Sequence, residues 1–342
     1  MKTDCYEKNS LPVKAGMLLF GIFIAFVNNV YAESRGIGLH KTKNASGVSL
    51  QDTTYRALII GNNDYRRTGG KWPRLKTAIS DASALRNVLR KSYNFTDIRV
   101  LKNATRRDVL VELKALAKRV KKNDSVLVYY AGHGYLDDES QQGYWVPVDA
   151  KGLDQTTFLR NSTIRDELTL IASRGKHTLL IADSCFSGSL LRSGTRGIST
   201  DIGTELYYQK VANKKSVQIM TAGGVEYVDD NYKSSGHSPF TYFLLNELKT
   251  NNRALISMSE LSTNVQKAVA NNVDQVPESG VLHGAGDELG EFVFIKVDVK
   301  AKGIDKDKIK VIVNVDTEQE QKIQKKETQV KPKRNLLPLP TM

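Results

Sequence analysis

The sequence predicts an α/β fold: a mostly parallel sheet with helices on both faces. Three observations carry that expectation. Near-continuous apolar runs of strand length recur along the chain, amphipathic helical stretches alternate with them, and two of the runs end in reactive side chains. Strands buried on both faces read as unbroken apolar runs, and parallel neighbours need a crossover helix between them.

Tyr55-Arg56-Ala57-Leu58-Ile59-Ile60-Gly61 reads as the first strand, closed by the turn Asn62-Asn63-Asp64. Leu75, Ala78, Ile79, Ala82, Leu85, Val88 and Leu89 fall at helical spacing and predict a helix over 75–91. Ile98-Arg99-Val100-Leu101 is a short strand. Thr105 caps a second helix, with Val109, Leu113, Leu116 and Val120 on one face. Val126-Leu127-Val128-Tyr129-Tyr130 is a buried strand that runs into Ala131-Gly132-His133-Gly134. A polar loop and a short strand around Tyr144-Trp145-Val146-Pro147-Val148 follow, then a helix over 164–173. Thr178-Leu179-Leu180-Ile181 is the next strand, leading into Ala182-Asp183-Ser184-Cys185-Phe186-Ser187-Gly188. Residues 187–215 are rich in Ser, Gly, Thr, Lys and Arg, without clear periodicity, and read as a long loop. Loops of that length inside a compact domain often carry function. Val217-Gln218-Ile219-Met220-Thr221-Ala222 resumes as a strand. Ser238-Pro239 opens a helix bearing Phe240, Phe243, Leu244, Leu245 and Leu248, with Pro in the first turn where its missing N–H costs nothing. A further helix covers 257–271, and Phe292-Val293-Phe294-Ile295 is the last strand.

Composition bounds the rest. The chain has 342 residues, is 40% hydrophobic and 25% charged, and carries a formal net charge of +13. Lys2, Lys8 and Lys14 precede an apolar run from Ala15 to Val27, and Val30-Tyr31-Ala32 offers small residues at a cleavage position. That pattern predicts a signal peptide over 1–32 and an exported protein, periplasmic or secreted. The run is shorter than the roughly 20 residues of a spanning helix, so no membrane span is expected after cleavage. The leader's three Lys stand against Asp4 and Glu7, so its removal leaves +12. The basic residues are scattered and no nucleic-acid module is recognisable. A basic, solvated surface is expected, with no nucleic-acid partner. Residues 33–54 read as a flexible lead-in and 298–342 as a basic, largely disordered tail, with a candidate edge strand at Ile309-Lys310-Val311-Ile312-Val313.

Cleavage of the leader would remove Cys5 and leave Cys185 as the single cysteine, so no intramolecular disulfide could form. An unpaired thiol in an oxidising compartment tends to oxidise unless it has a use. Cys185 follows His133 by 52 residues, and each stands at the carboxyl end of a strand, where function gathers in open α/β sheets. A thiol and an imidazole on one sheet edge are the parts of a cysteine hydrolase.

These residues together resemble the caspase/metacaspase superfamily of clan CD cysteine peptidases, in its bacterial, orthocaspase-like branch. The resemblance spans roughly 55–297 and rests on Ala57 to Asn62, Leu75 to Ala82, Tyr130-Ala131-Gly132-His133-Gly134 and Asp183-Ser184-Cys185-Phe186-Ser187-Gly188. It continues through His237-Ser238-Pro239-Phe240-Thr241, Gln275-Val276-Pro277 and Gly290 to Phe294. It implies a caspase–haemoglobinase fold, a six-stranded, mainly parallel sheet sandwiched between helices. It also implies Cys185 as nucleophile, His133 as general acid/base, and an oxyanion hole from the backbone N–H groups of Gly134 and Cys185. The His-to-Cys spacing matches caspases, but the Gln-Ala-Cys nucleophile motif does not.

That departure bears on substrate choice. Caspases that cut after Asp carry Gln two positions before the Cys, whereas metacaspases carry Asp there, paired with an acidic residue on the first long helix, and cut after Arg or Lys. Asp183 and Asp81 are the matching residues. The resemblance therefore implies an acidic S1 pocket and protein or peptide substrates with basic P1. Read without it, Asp81 is a solvated helix residue and Asp183 a strand-end turn former. Tyr227 falls where the family forms part of its substrate cleft. The loop after Cys185 corresponds to an intersubunit linker, with Arg192, Arg196, Lys210, Lys214 and Lys215 as candidate self-cleavage sites. His237 and Ser238 read as turn and cap residues.

No metal or organic cofactor is expected. Calcium activates many metacaspases, but Phe186 to Thr200 contains no carboxylate, and surface solvation accounts for Asp137-Asp138-Glu139 and Asp229-Asp230. Two alternatives stay open: a non-catalytic caspase-like regulatory or binding module, and another clan CD hydrolase or transpeptidase with the same dyad.

Overall fold

The computed structural model describes residues 53–184, 205–223, 230–282 and 284–297. The expected leader, lead-in and tail fall outside them, apart from Thr53 and Thr54.

The strands are β1 (Tyr55–Gly61), β2 (Phe95–Lys102), β3 (Ser125–Ala131), β4 (Gly134–Asp137), β5 (Gln142–Trp145), β6 (Leu159–Arg160), β7 (His177–Asp183), β8 (Ser216–Thr221), β9 (Leu255–Ser257), β10 (Glu278–Val281) and β11 (Val293–Ile295). The helices are α1 (Ala78–Ser92), α2 (Arg106–Arg119), α3 (Asn161–Arg174), α4 (Glu205–Asn213), α5 (Pro239–Thr250) and α6 (Met258–Ala270).

The architecture is α/β, with a six-stranded sheet in the order β10-β8-β7-β3-β1-β2. All its pairings are parallel except that of β10 with β8. Residues at alternate positions feed opposite layers. Ala57, Ile59, Leu127, Tyr129, Leu179 and Ile181 pack under α1, α5 and α6, through Leu85, Leu89, Leu244, Leu248, Leu261 and Val265. Leu58, Ile60, Val126, Val128 and Leu180 pack on α2 and α3, through Val109, Leu113, Leu116, Ile164, Leu168 and Ile171. The unbroken apolar strands have this cause, since both faces of each are covered.

Local signals set the helix starts. Thr105 makes a capping box with Asp108. Ser257 makes one with Glu260, and Ser238 caps α5 ahead of Pro239. A polar side chain at these positions satisfies amide groups that have no partner within the helix.

Three features differ from the sequence expectation. The sixth strand of the main sheet is Glu278–Val281, whereas Phe292 to Ile295 contributes β11, which pairs antiparallel with β9 outside that sheet. The stretch 187–215 is not wholly irregular, because Glu205–Asn213 is helical. At nine residues, with Tyr207, Tyr208, Val211 and Ala212 as its short apolar stripe, that helix is too brief for periodicity to stand out. The strand expected around 144–148 ends at Trp145 and belongs to a separate three-stranded sheet, β4-β5-β6.

Candidate active site

The site begins with a register. Strands β3 and β7 run parallel with Ala131 opposite Asp183, and the Gly132 N–H donates to the Asp183 carbonyl at 3.4 Å. His133 and Cys185 thus each stand two residues beyond a matched pair of strand ends. Cys185 itself lies outside the described residues, as do Tyr227, Arg192 and Arg196.

His133 follows β3 and precedes β4. Its Nε2 is 2.8 Å from the Pro73 carbonyl oxygen. A carbonyl only accepts, so Nε2 carries the hydrogen, and in the neutral ring Nδ1 holds the free lone pair. The ring packs beside Tyr65, at 4.6 Å between centroids, and Trp72, at 5.4 Å. Burial pushes its titration below the ordinary value, opposed by the Pro73 carbonyl and by the charge of Asp230. The backbone is fixed as well. The His133 N–H donates to the Tyr65 hydroxyl at 2.9 Å, and the Tyr130 hydroxyl donates to the His133 carbonyl at 2.9 Å. Gly132 is required by those two phenols, because a Cβ there would lie 2.7 Å from the Tyr130 oxygen and 2.8 Å from that of Tyr65. Gly134 opens β4, opposite Trp145.

A second cluster lies at the end of β7. Asp81, in the first turn of α1, is 1% exposed, and Asp183 is 5% exposed. Ser238 links the two: its N–H donates to Asp81 Oδ2 at 3.4 Å and its hydroxyl to Asp183 Oδ2 at 2.5 Å. Thr241 Oγ1 also donates to Asp183 Oδ2 at 2.6 Å, and Tyr129 reaches it at 3.5 Å. Asp183 Oδ1 is buried with no hydrogen-bond partner among the described residues. Burial, and then the charge of Asp81, push the Asp183 carboxyl up to about 7. Burial also raises that of Asp81, opposed first by His237, whose Nδ1 lies 2.6 Å from Oδ1. Asp81 is therefore no solvated helix residue, and Asp183 is no exposed turn former.

Tyr65, Trp72 and Pro73 also line the site, and no sequence motif marks them. Ser238 is a cap, as expected, but it also binds both carboxylates. Asp230 is not merely solvated. It accepts from the N–H groups of Lys76 and Thr77, just ahead of α1, and from the Thr77 hydroxyl. Lys210 lies in the last turn of α4. Lys215 is tied down by backbone, its carbonyl accepting from the N–H groups of Glu288 and Gly290. Next to it, Lys214 packs so tightly on Gly290 that a Cβ there would meet the Lys214 carbonyl oxygen. Among the described residues no group of three or more His, Cys, Asp or Glu side chains is arranged to hold a metal ion, and no helix is long and apolar enough to cross a membrane.

The chain is 29% identical over 157 residues to Metacaspase-1 of Coccidioides immitis, which covers 40% of this chain and about a third, 32%, of that protein. Caspase-1 of Spodoptera frugiperda aligns at 17% identity and a TM-score of 0.48, over 67% of this chain and 87% of its own. A structural-genomics protein from Geobacter sulfurreducens aligns at 17% identity and a TM-score of 0.46, over 70% of this chain and 99% of its own. The caspase domain model matches residues 54–281, two thirds of the sequence, and the chain belongs to that family.

Proposed function

We propose that this protein is a cysteine endopeptidase that cleaves after Arg or Lys through Cys185 and His133. The observation that supports this most directly is the register of Ala131 against Asp183, which gives both residues the same offset from adjacent strand ends. With Nε2 engaged by Pro73, Nδ1 of His133 is the nitrogen available to take the thiol proton. The thiolate attacks the scissile carbonyl carbon. The N–H groups of Gly134 and Cys185 receive the developing oxyanion, where one such donor is worth about 3–4 kcal/mol. His133 returns the proton to the leaving amine, and water then hydrolyses the thioester. Neither half-reaction calls on a metal or organic cofactor.

Asp81 and Asp183 form the floor of the pocket for the basic side chain. Two buried carboxylates joined by Ser238 favour a cation and disfavour an acidic side chain. Asp183 Oδ1, which has no hydrogen-bond partner among the described residues, is an acceptor for it. A bound guanidinium would displace a proton from the pair, so affinity for Arg substrates should rise with pH through about 7, where Asp183 ionises. Self-processing is part of the proposal. Proteases bind extended segments, and Lys210 is helical while Lys215 is held by backbone bonds. Arg192 and Arg196 are therefore the preferred sites.

The test is hydrolysis of paired Arg- and Asp-terminated fluorogenic peptides by the chain from Glu33 under reducing conditions, beside Cys185→Ala. Arg cleavage that disappears in the variant is expected. Asp-only cleavage would sink the pocket assignment. No cleavage of either peptide, with and without calcium, would point to a non-catalytic caspase-like module.

A further inference from the structure

His237 does more in this fold than complete a turn. Its Nδ1 lies 2.6 Å from Oδ1 of Asp81, 156 residues away in sequence. The imidazole is 21% exposed and the carboxylate 1%, so the pair is largely withdrawn from water. The backbone is bent to hold it there. Lys233, Ser234 and Gly236 have φ of 43°, 59° and 78°. Left-handed backbone is unfavourable for Lys and Ser and persists only where the surroundings hold it. Here the Tyr232 N–H donates to the His237 carbonyl at 2.8 Å, and the Gly236 N–H to Asn231 Oδ1 at 3.0 Å. The Ser80 hydroxyl ties the turn to α1 by donating to the Gly236 carbonyl at 2.6 Å.

Resting on the basic-P1 reading above, we propose that His237 is a positioning residue of the acidic pocket, which secures Asp81 through Oδ1 and leaves Oδ2 as the acceptor for the substrate cation. Two buried carboxylates without a cation tend to take up protons. Among the described residues, the titratable groups around this pair are Asp183 on β7, Tyr129 on β3 and Asp230, which precedes α5 and accepts from the residues just ahead of α1. Each carries either a negative charge or none. His237 instead donates to Asp81, as a neutral ring with Nδ1–H or as an imidazolium. Its bond and its charge are the foremost influences holding the Asp81 carboxyl down against burial. The pocket thus holds Asp81 in a fixed orientation before substrate arrives, with a donor on Oδ1 that favours its ionised form against burial.

The experiment compares His237→Leu with His237→Asn, whose amide nitrogen falls near the position of Nδ1. KM and kcat are measured for an Arg-terminated peptide from about pH 5 to 9. His237→Leu should raise KM about tenfold, leave kcat within about twofold, and move the fall of KM to higher pH. His237→Asn should restore most of the loss. Should the Leu variant fail to fold, His237→Gln takes its place, because its amide falls near Nε2 and should not rescue. An unchanged KM and pH profile in His237→Leu, or Asn no better than Leu or Gln, would overturn the proposal. Asp81→Asn run alongside separates the two ideas. If it leaves Arg affinity intact, the pocket assignment itself fails. If it weakens affinity while His237→Leu does not, only the role of His237 is lost.

Discussion

The ends of β3 and β7 treat burial in opposite ways. At the β3 end, burial pushes His133 down, towards the neutral imidazole that a general base must be. At the β7 end, burial pushes Asp81 and Asp183 up, towards neutral carboxylic acids. The physical cause is the same, since removing a group from water penalises its charged form whatever the sign. What differs is the company each group keeps. His133 packs beside Tyr65, Trp72 and one carbonyl, so none of these described neighbours demands a charge on it. The carboxylates are surrounded by donors, Ser238, Thr241 and His237, and one oxygen has no partner among the described residues. The first environment suits a proton carrier, the second a receptor for a cation.

The sharpest way to break this comparison is Asp183→Asn. KM for an Arg-terminated peptide should rise about a hundredfold, because one partner of a desolvated charge pair is gone. The same variant tests the electrostatics without catalysis. Asp183 has its folded value raised to about 7, so it contributes stability that is complete below the unfolded value near 4 and is lost as pH rises through 7. The denaturant midpoint of the parent protein should therefore fall between about pH 4 and 7, and that of Asp183→Asn should fall less. Equal slopes would mean that the carboxylate is not held out of water.

A smaller effect is expected at the β3 end. Gly132→Ala forces a Cβ against the Tyr130 and Tyr65 oxygens, and should destabilise by about 1–3 kcal/mol in a urea titration and displace the His133 backbone. A neutral result would show that the phenols can retreat and do not set the backbone path. The smallest change is Tyr65→Phe, which removes the acceptor of the His133 N–H. It should cost about 1 kcal/mol and lower kcat several-fold while leaving KM for Arg peptides unchanged. A shift in KM instead would mean that the two environments are coupled, contrary to the comparison.

Much of this organisation was legible in the chain. Unbroken apolar runs named four of the central strands because those strands are covered on both faces. Thr105, Ser238 and Pro239 announced helix starts because caps act within a few residues. The two motifs at His133 and Cys185 were visible because each is contiguous. Glu278–Val281 was not recognised, since an edge strand of partly exposed residues has no apolar run to betray it. Pro73, Tyr65 and His237 were equally hidden as participants, because their partners lie 60, 68 and 156 residues away.

The sequence by itself therefore determined the α/β class, the capped starts of α2 and α5 and the residue types that end two neighbouring strands. Those properties depend on periodicity and on contacts within a turn or two. Only the tertiary structure decided that Ala131 pairs with Asp183, that a proline carbonyl selects the His133 tautomer, and that Ser238 joins two carboxylates under His237. Each of these is a hydrogen bond between distant segments, and its geometry exists only once the sheet and its helices have packed.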